Sequence, residues 1–152
     1  MKKKSENAPI VNRRARFDYE LGETISAGII LSGAEVRGAR LGHVRLTGSY
    51  ANIKQNELWL TNVSISIPDT ARNKEDDKEN SSPRKLLVTK KELTKIEEAK
   101  KQGMTIVPTR LFTTGRFIKI ELAIARGKKH RDKRETIKRR QQDRDAKREI
   151  KR

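Results

Sequence analysis

Past Gly127 the chain stops supplying a core. From there to Arg152 the apolar positions are Ile137, Ala146 and Ile150, too few to make a stripe that could dock on anything. Any hydrophobic interior must therefore come from the residues before them. The chain has 152 residues, of which only 33% are hydrophobic, enough for one compact domain with length to spare. The layout expected is a polar, disordered start over 1–9, a folded domain over 10–126 and a basic tail over 127–152.

Within the folded part the patterns are short. Asn12 is placed to cap a helix over NRRARFDYE, with Ala15 and Tyr19 on one face. Ile25, Ala27, Ile29 and Leu31 alternate through Thr24–Leu31 as a strand. Ser32-Gly33-Ala34-Glu35 and Thr89-Lys90-Lys91-Glu92 are capping boxes that open helices, which Gly42 and Gly103 close. Strands are expected over 43–47, 49–54 and 58–67, with Gln55-Asn56-Glu57 turning between the last two. Residues 68–84 have no periodicity and carry Pro68 and Pro83, the pattern of a mobile loop. Strand pattern returns at 85–88, and 104–112 and 116–125 flank Thr113-Thr114-Gly115 as a hairpin. In its second arm Ile118, Ile120, Leu122 and Ile124 face one way, Lys119 and Glu121 the other. The fold class expected is mainly β with short helices: a small antiparallel β-barrel surrounded by two to three helices, with which an oligonucleotide-binding type of barrel is compatible, although the pattern does not fix strand order.

Charge points to the partner. The formal net charge is +17, and residues 126–152 hold 14 Lys/Arg against 5 Asp/Glu, a local net of +9. A field of that sign attracts polyanions, of which nucleic acid and an anionic membrane surface are the large candidates. The membrane is disfavoured, because no run approaches the roughly 20 apolar residues that span a bilayer and the tail lacks an apolar face. Glu135 with Arg139 and Asp143 with Lys147 sit at helix-supporting i, i+4 spacing. With nothing apolar to dock, the tail is expected to be unfolded or frayed alone and helical against a polyanion.

Catalytic chemistry finds little to work with. The absence of cysteine excludes disulfides, thiolate nucleophiles and Cys-ligated zinc. His43 and His130 have no partner at metal spacing, and Gly127-Lys128-Lys129 lacks the rest of a phosphate-binding loop. Neither an enzyme nor a metal or cofactor is expected. The basic start MKKKSENAP leads into no apolar stretch, so it is not a secretory signal and a cytoplasmic protein is expected. Tyr19 and Trp59 are available either as core residues or for stacking on bases, and Glu35 either as a cap or as an RNA contact.

Several segments in order resemble one family. They are Asn12-Arg13-Arg14-Ala15-Arg16 with Tyr19, Gly33-Ala34-Glu35-Val36-Arg37, Arg84-Lys85-Leu86-Leu87-Val88, Gly103-Met104-Thr105-Ile106-Val107-Pro108, Ala125-Arg126-Gly127-Lys128-Lys129 and Asp132-Lys133-Arg134. The set is similar to small protein B, the bacterial family that binds transfer-messenger RNA in ribosome rescue. The resemblance implies a monomeric barrel that grips the tRNA-like part of that RNA. It also implies a tail that folds as a helix in the empty messenger channel of a stalled ribosome, with elongation factor Tu in the delivery complex. Carried over by position, Asn12, Arg13, Arg14, Tyr19, Glu35, Arg37, Lys85, Leu86 and Leu87 are the RNA-binding face. Lys128, Lys129, Arg131, Asp132, Lys133 and Arg134 are the ribosome-facing motif. The chain departs from the pattern at Ser26, where the family usually carries glutamate, at Phe17 in place of His, and at Arg131 in place of an aromatic or His. Gly38 and Ala39 also differ from the usual Ser and larger apolar residue. A ribosomal protein or nonspecific RNA-binding barrel with a basic tail is the competing assignment.

Overall fold

The computed structural model describes residues 8–67, 82–128 and 130–150, with the side chains of 130–132 left aside. The elements in chain order are β1 (Ile10–Val11), α1 (Arg13–Asp18), β2 (Tyr19–Ile29), α2 (Gly33–Arg40), β3 (Val44–Arg45), β4 (Tyr50–Lys54) and β5 (Glu57–Thr61). They continue with β6 (Ser64–Ile65), β7 (Arg84–Leu87), α3 (Lys90–Lys101), β8 (Thr105–Phe112), β9 (Lys119–Gly127) and α4 (His130–Ile150). The expected mobile loop at 68–84 falls almost wholly outside the described residues.

One seven-stranded sheet runs β1-β8-β4-β5-β7-β2-β9, and β8 also pairs with β9. The pairings therefore return on themselves, from β8 through β4, β5, β7, β2 and β9 back to β8, all antiparallel. β3 and β6 form a separate two-stranded ribbon. The period-two alternation of the strands puts one row of side chains inside this cycle. Ile25 and Ala27 of β2, Leu58 and Leu60 of β5, Leu86 of β7 and Ile120 and Leu122 of β9 meet there as one cluster, joined by Ile96 of α3. A smaller cluster lies on the other side of β8 and β9, where Ala15 of α1 covers Val107 and Ala125 with Tyr19 and Leu21 beside them.

Both capping boxes form. Ser32 Oγ accepts from the Glu35 amide and Thr89 Oγ1 from the Glu92 amide, each glutamate accepting from its cap's own amide in return. Gly42 and Gly103 follow with φ of +82° and +80°. The β4–β5 turn is tighter than its sequence suggested. Lys54 pairs with Glu57, and Gln55 and Asn56 alone make the turn at φ of +51° and +60°, the conformation in which a two-residue turn matches the strand twist. The β8–β9 connection is longer than expected, since Phe112 pairs with Lys119 and residues 113–118 lie between. Tyr19 belongs to β2, because α1 ends at Asp18.

Strand β8 carries a proline, which cannot donate to a ladder and is tolerated at a bulge. The register shifts between Pro108 and Arg110. Strict alternation would send Ile106 and Leu111 to opposite faces, yet both lie in the main core. The extra residue restores the phase.

Candidate nucleic-acid interface

The β8 bulge is where the first expected RNA residue goes. Asn12 caps α1 through Oδ1, which accepts from the Ala15 amide at 3.2 Å. Its Nδ2 donates to the carbonyls of Pro108 at 2.8 Å and Leu46 at 3.3 Å, and its own amide donates to Thr109 O at 2.8 Å. The side chain is 4% exposed, so it fastens α1 to the bulge and offers nothing outward. Arg13, Arg14 and Arg16 of α1 are exposed. Arg14 Nε donates to Asp18 Oδ2 at 3.0 Å, and its guanidinium stands 5.0 Å from the Phe17 ring centroid. Tyr19 is half-buried.

Glu35 is likewise turned inward. Besides completing its capping box it holds Arg84 in a buried ion pair, Arg84 Nη2 to Glu35 Oε1 at 3.2 Å and Nε to Oε2 at 3.4 Å. Arg84 Nη1 also donates to the carbonyls of Val63 and Ser82, both at 2.9 Å. Arg37, next along α2, is exposed. The pleat of β7 divides its expected segment: Arg84 and Leu86 point in, Lys85 and Leu87 out. Leu86 is a core residue at 2% exposure, so the side chains this strand offers outward are Lys85, paired with Glu57 Oε1 at 2.9 Å, and Leu87. Ser26 is exposed on β2 opposite Glu121 of β9.

The outward rows of neighbouring strands add residues that sequence reasoning left undecided or did not name. Trp59 pairs with Lys85 on one side and Asn52 on the other, half-buried and outside the main cluster. Lys100 of α3 donates to Asn52 Oδ1, and burial lowers its amine pKa below the usual lysine value. Arg84 escaped notice because its partner lies 49 residues away. The signal available was its place one step before an alternating strand, on the inward phase.

The residues expected to face the ribosome begin just after β9. The Lys128 amide donates to Asp18 O at 3.0 Å, and its Nζ to Arg16 O at 3.1 Å. Lys133 Nζ lies 3.4 Å from Asp18 Oδ1, and the Arg140 guanidinium 5.7 Å from the Phe17 centroid. Phe17 thus faces an arginine from α1 and one from α4. Lys129 and the side chains of Arg131 and Asp132 lie outside what is described. Arg134 is exposed, and from Ile137 to Ile150 every residue of α4 is exposed. Among the described residues no cluster of three or more His, Asp or Glu could hold a metal ion, and no helix is long and apolar enough to cross a membrane.

Comparison with known proteins reaches almost the whole chain. Residues 9–152 match the family model described as SmpB protein. The SsrA-binding protein of Streptococcus thermophilus is 43% identical over 152 residues, covering 99% of this chain and 97% of that one. That of Ligilactobacillus salivarius is 43% identical over 150 residues, at 98% and 96% coverage. A chain from a solved structure described as "tmRNA-SmpB: a journey to the center of the bacterial ribosome" superposes with a TM-score of 0.65 at 39% identity, covering 80% of this chain and 85% of that chain.

Proposed function

Because the chain belongs to the SmpB protein family, we propose that it binds transfer-messenger RNA and brings it to stalled ribosomes for trans-translation. The observation that carries this is the family match over residues 9–152, which takes in the basic tail as well as the folded domain. The closed cycle of strands is read as a small barrel of the oligonucleotide-binding type, spanning residues 10–126. Its exposed cations Arg13, Arg14 and Arg37, with Lys85, Leu87 and Tyr19, form the face that meets the tRNA-like part of the RNA. Recognition of a folded RNA by shape calls for this mixture of phosphate-binding cations and a few stacking or apolar groups. Asn12, Glu35 and Leu86 act behind that face by holding α1, α2 and β7 in register.

The tail does a different job. Residues 127–152 carry a net +8 and almost nothing apolar, so their natural solvent is a passage walled by RNA phosphate. We assign Lys128, Lys129, Arg131, Asp132, Lys133 and Arg134 to the decoding region and α4 to the empty messenger channel. A ribosome with message still in place has no room for the helix. The protein acts as a cytoplasmic monomer, without catalysis or a metal of its own, in a complex that includes elongation factor Tu.

The test is separability. A chain ending at Arg126 should bind transfer-messenger RNA as the full chain does and support no tagging on reconstituted stalled ribosomes. Full tagging by the truncation would refute the tail's role. A domain with steep salt dependence and no preference for transfer-messenger RNA over ordinary tRNA would instead be a nonspecific RNA binder.

A further inference from the structure

The loop between β8 and β9 is anchored at both ends and open at its tip. Thr113 and Ile118 are buried, at 7% and 6% exposure, while Phe117 between them is 69% exposed. Arg40 of α2 reaches across to donate to Gly115 O at 3.0 Å, and Gly115 takes φ +88°, a turn that a side chain would strain. The Arg116 guanidinium stands 5.6 Å from the Phe117 ring centroid. An aromatic ring is thus held away from the core with a cation against it.

Its surroundings explain the cost of leaving it there. Lys119 follows on β9 and pairs with Gly28 of β2, which pairs in turn with Leu87 of β7. Loop, strand ends and α2 therefore bring Phe117, Arg116, Arg40, Lys119 and the exposed Leu87 to one end of the sheet. An apolar protein pocket is a poor match for this much positive charge. An unpaired nucleotide offers a flat face for the ring and a phosphate for the arginines.

We propose that this loop is a further RNA-binding site, in which Phe117 stacks on an unpaired base of the tRNA-like RNA while Arg116 takes an adjacent phosphate. The inference rests on the function proposed above and adds to it a contact that the family motifs do not contain. Neither residue supports the core, so substitution leaves the fold intact.

The experiment titrates the full chain against three labelled RNAs: the tRNA-like domain of transfer-messenger RNA, ordinary tRNA and a fully paired duplex of similar charge. Phe117→Ala should weaken binding to the tRNA-like RNA by about five- to a hundredfold and leave duplex binding within about twofold, while Phe117→Trp stays near wild type. Arg116→Ala should lower the salt slope by just under one phosphate's worth, a change that Phe117→Ala does not make. Unchanged affinity of Phe117→Ala for the tRNA-like RNA, or an equal loss on the duplex, overturns the stacking site. If the wild-type chain shows no preference for the tRNA-like RNA over ordinary tRNA, the functional proposal fails and the site with it.

Discussion

Glu35 offers the sharpest test of how the RNA face is built, because its position in the family motif suggests a contact while its geometry suggests a strut. The side chains of Glu35 and Arg84 are 10% and 5% exposed. Replacing Glu35 by Ala removes one member of a buried ion pair while the Arg84 guanidinium keeps its bonds to the Val63 and Ser82 carbonyls, a change that typically costs about 3–5 kcal/mol. The loss of the reciprocal cap on Ser32 adds little, since Ser32 is exposed and water can take its amide. For a chain of this length such a loss lowers the melting midpoint by about 6–20 °C. Urea titration followed through Trp59, the single tryptophan, measures it. Removing both charges in Glu35→Gln/Arg84→Met should recover much of the deficit, because replacing both members of a buried ion pair costs far less than removing one of them. The reasoning fails if Glu35→Ala unfolds within about 0.5 kcal/mol of wild type yet binds transfer-messenger RNA weakly. Glu35 would then be a contact and not a strut.

Asn12→Ala removes a helix cap worth about 1 kcal/mol and leaves the buried Pro108 carbonyl without its donor, about 1–3 kcal/mol more. Its RNA affinity per folded molecule should match wild type, and a specific loss of affinity at full folding would mark Asn12 as a contact. Phe17→Ala combined with Asp18→Asn should free α4 from α1 while changing global stability by no more than about 1 kcal/mol, since these contacts are partly exposed. The chain lacks cysteine, so a spin label on Gln141→Cys reports this directly: broadening of α1 amides should vanish in the double variant. Persistent broadening would show that other contacts hold the helix.

Local chemistry was readable from the sequence, and long-range partnership was not. Asn12, Ser32 and Thr89 announced three helix starts because a cap needs only residues three apart. The same Asn12 also bonds to a carbonyl 96 positions away, and no local pattern encodes that. The β8 bulge hid for a related reason. Ile106 and Leu111 are out of phase as written, and only the register against β9 shows that Thr109, between Pro108 and Arg110, is the extra residue. The loop after β8 starts where the sequence suggests and runs three residues longer, to Ile118, with Thr113 and Ile118 as its buried anchors, a fact that polar Thr113 does not advertise. Of the RNA face expected from the motif, the residues fall on α1 with its cap Asn12, β2, α2 and β7. The motif could not tell inward from outward phase, which in β7 separates Leu86 from its neighbours.

That separation bears on why such residues form a motif at all. Asn12, Glu35 and Leu86 are buried, and each lies within two residues of outward-facing groups: exposed Arg13 and Arg14, exposed Arg37, and half-buried Lys85 with exposed Leu87. Phosphate binding by a long flexible side chain tolerates many sequences, whereas recognition of one RNA shape requires several cations at fixed separations. Asn12 ties α1 to β8, Glu35 ties α2 to β7 through Arg84, and Leu86 seats β7 in the core. The spacing between the cations on α1, α2 and β7 is set by these three inward side chains. Loss of any one should therefore lower selectivity for transfer-messenger RNA over other RNA more than it lowers affinity for RNA in general, in the fraction that remains folded. Competition binding against bulk tRNA measures that ratio, and a proportional loss of both affinities would place the selectivity elsewhere.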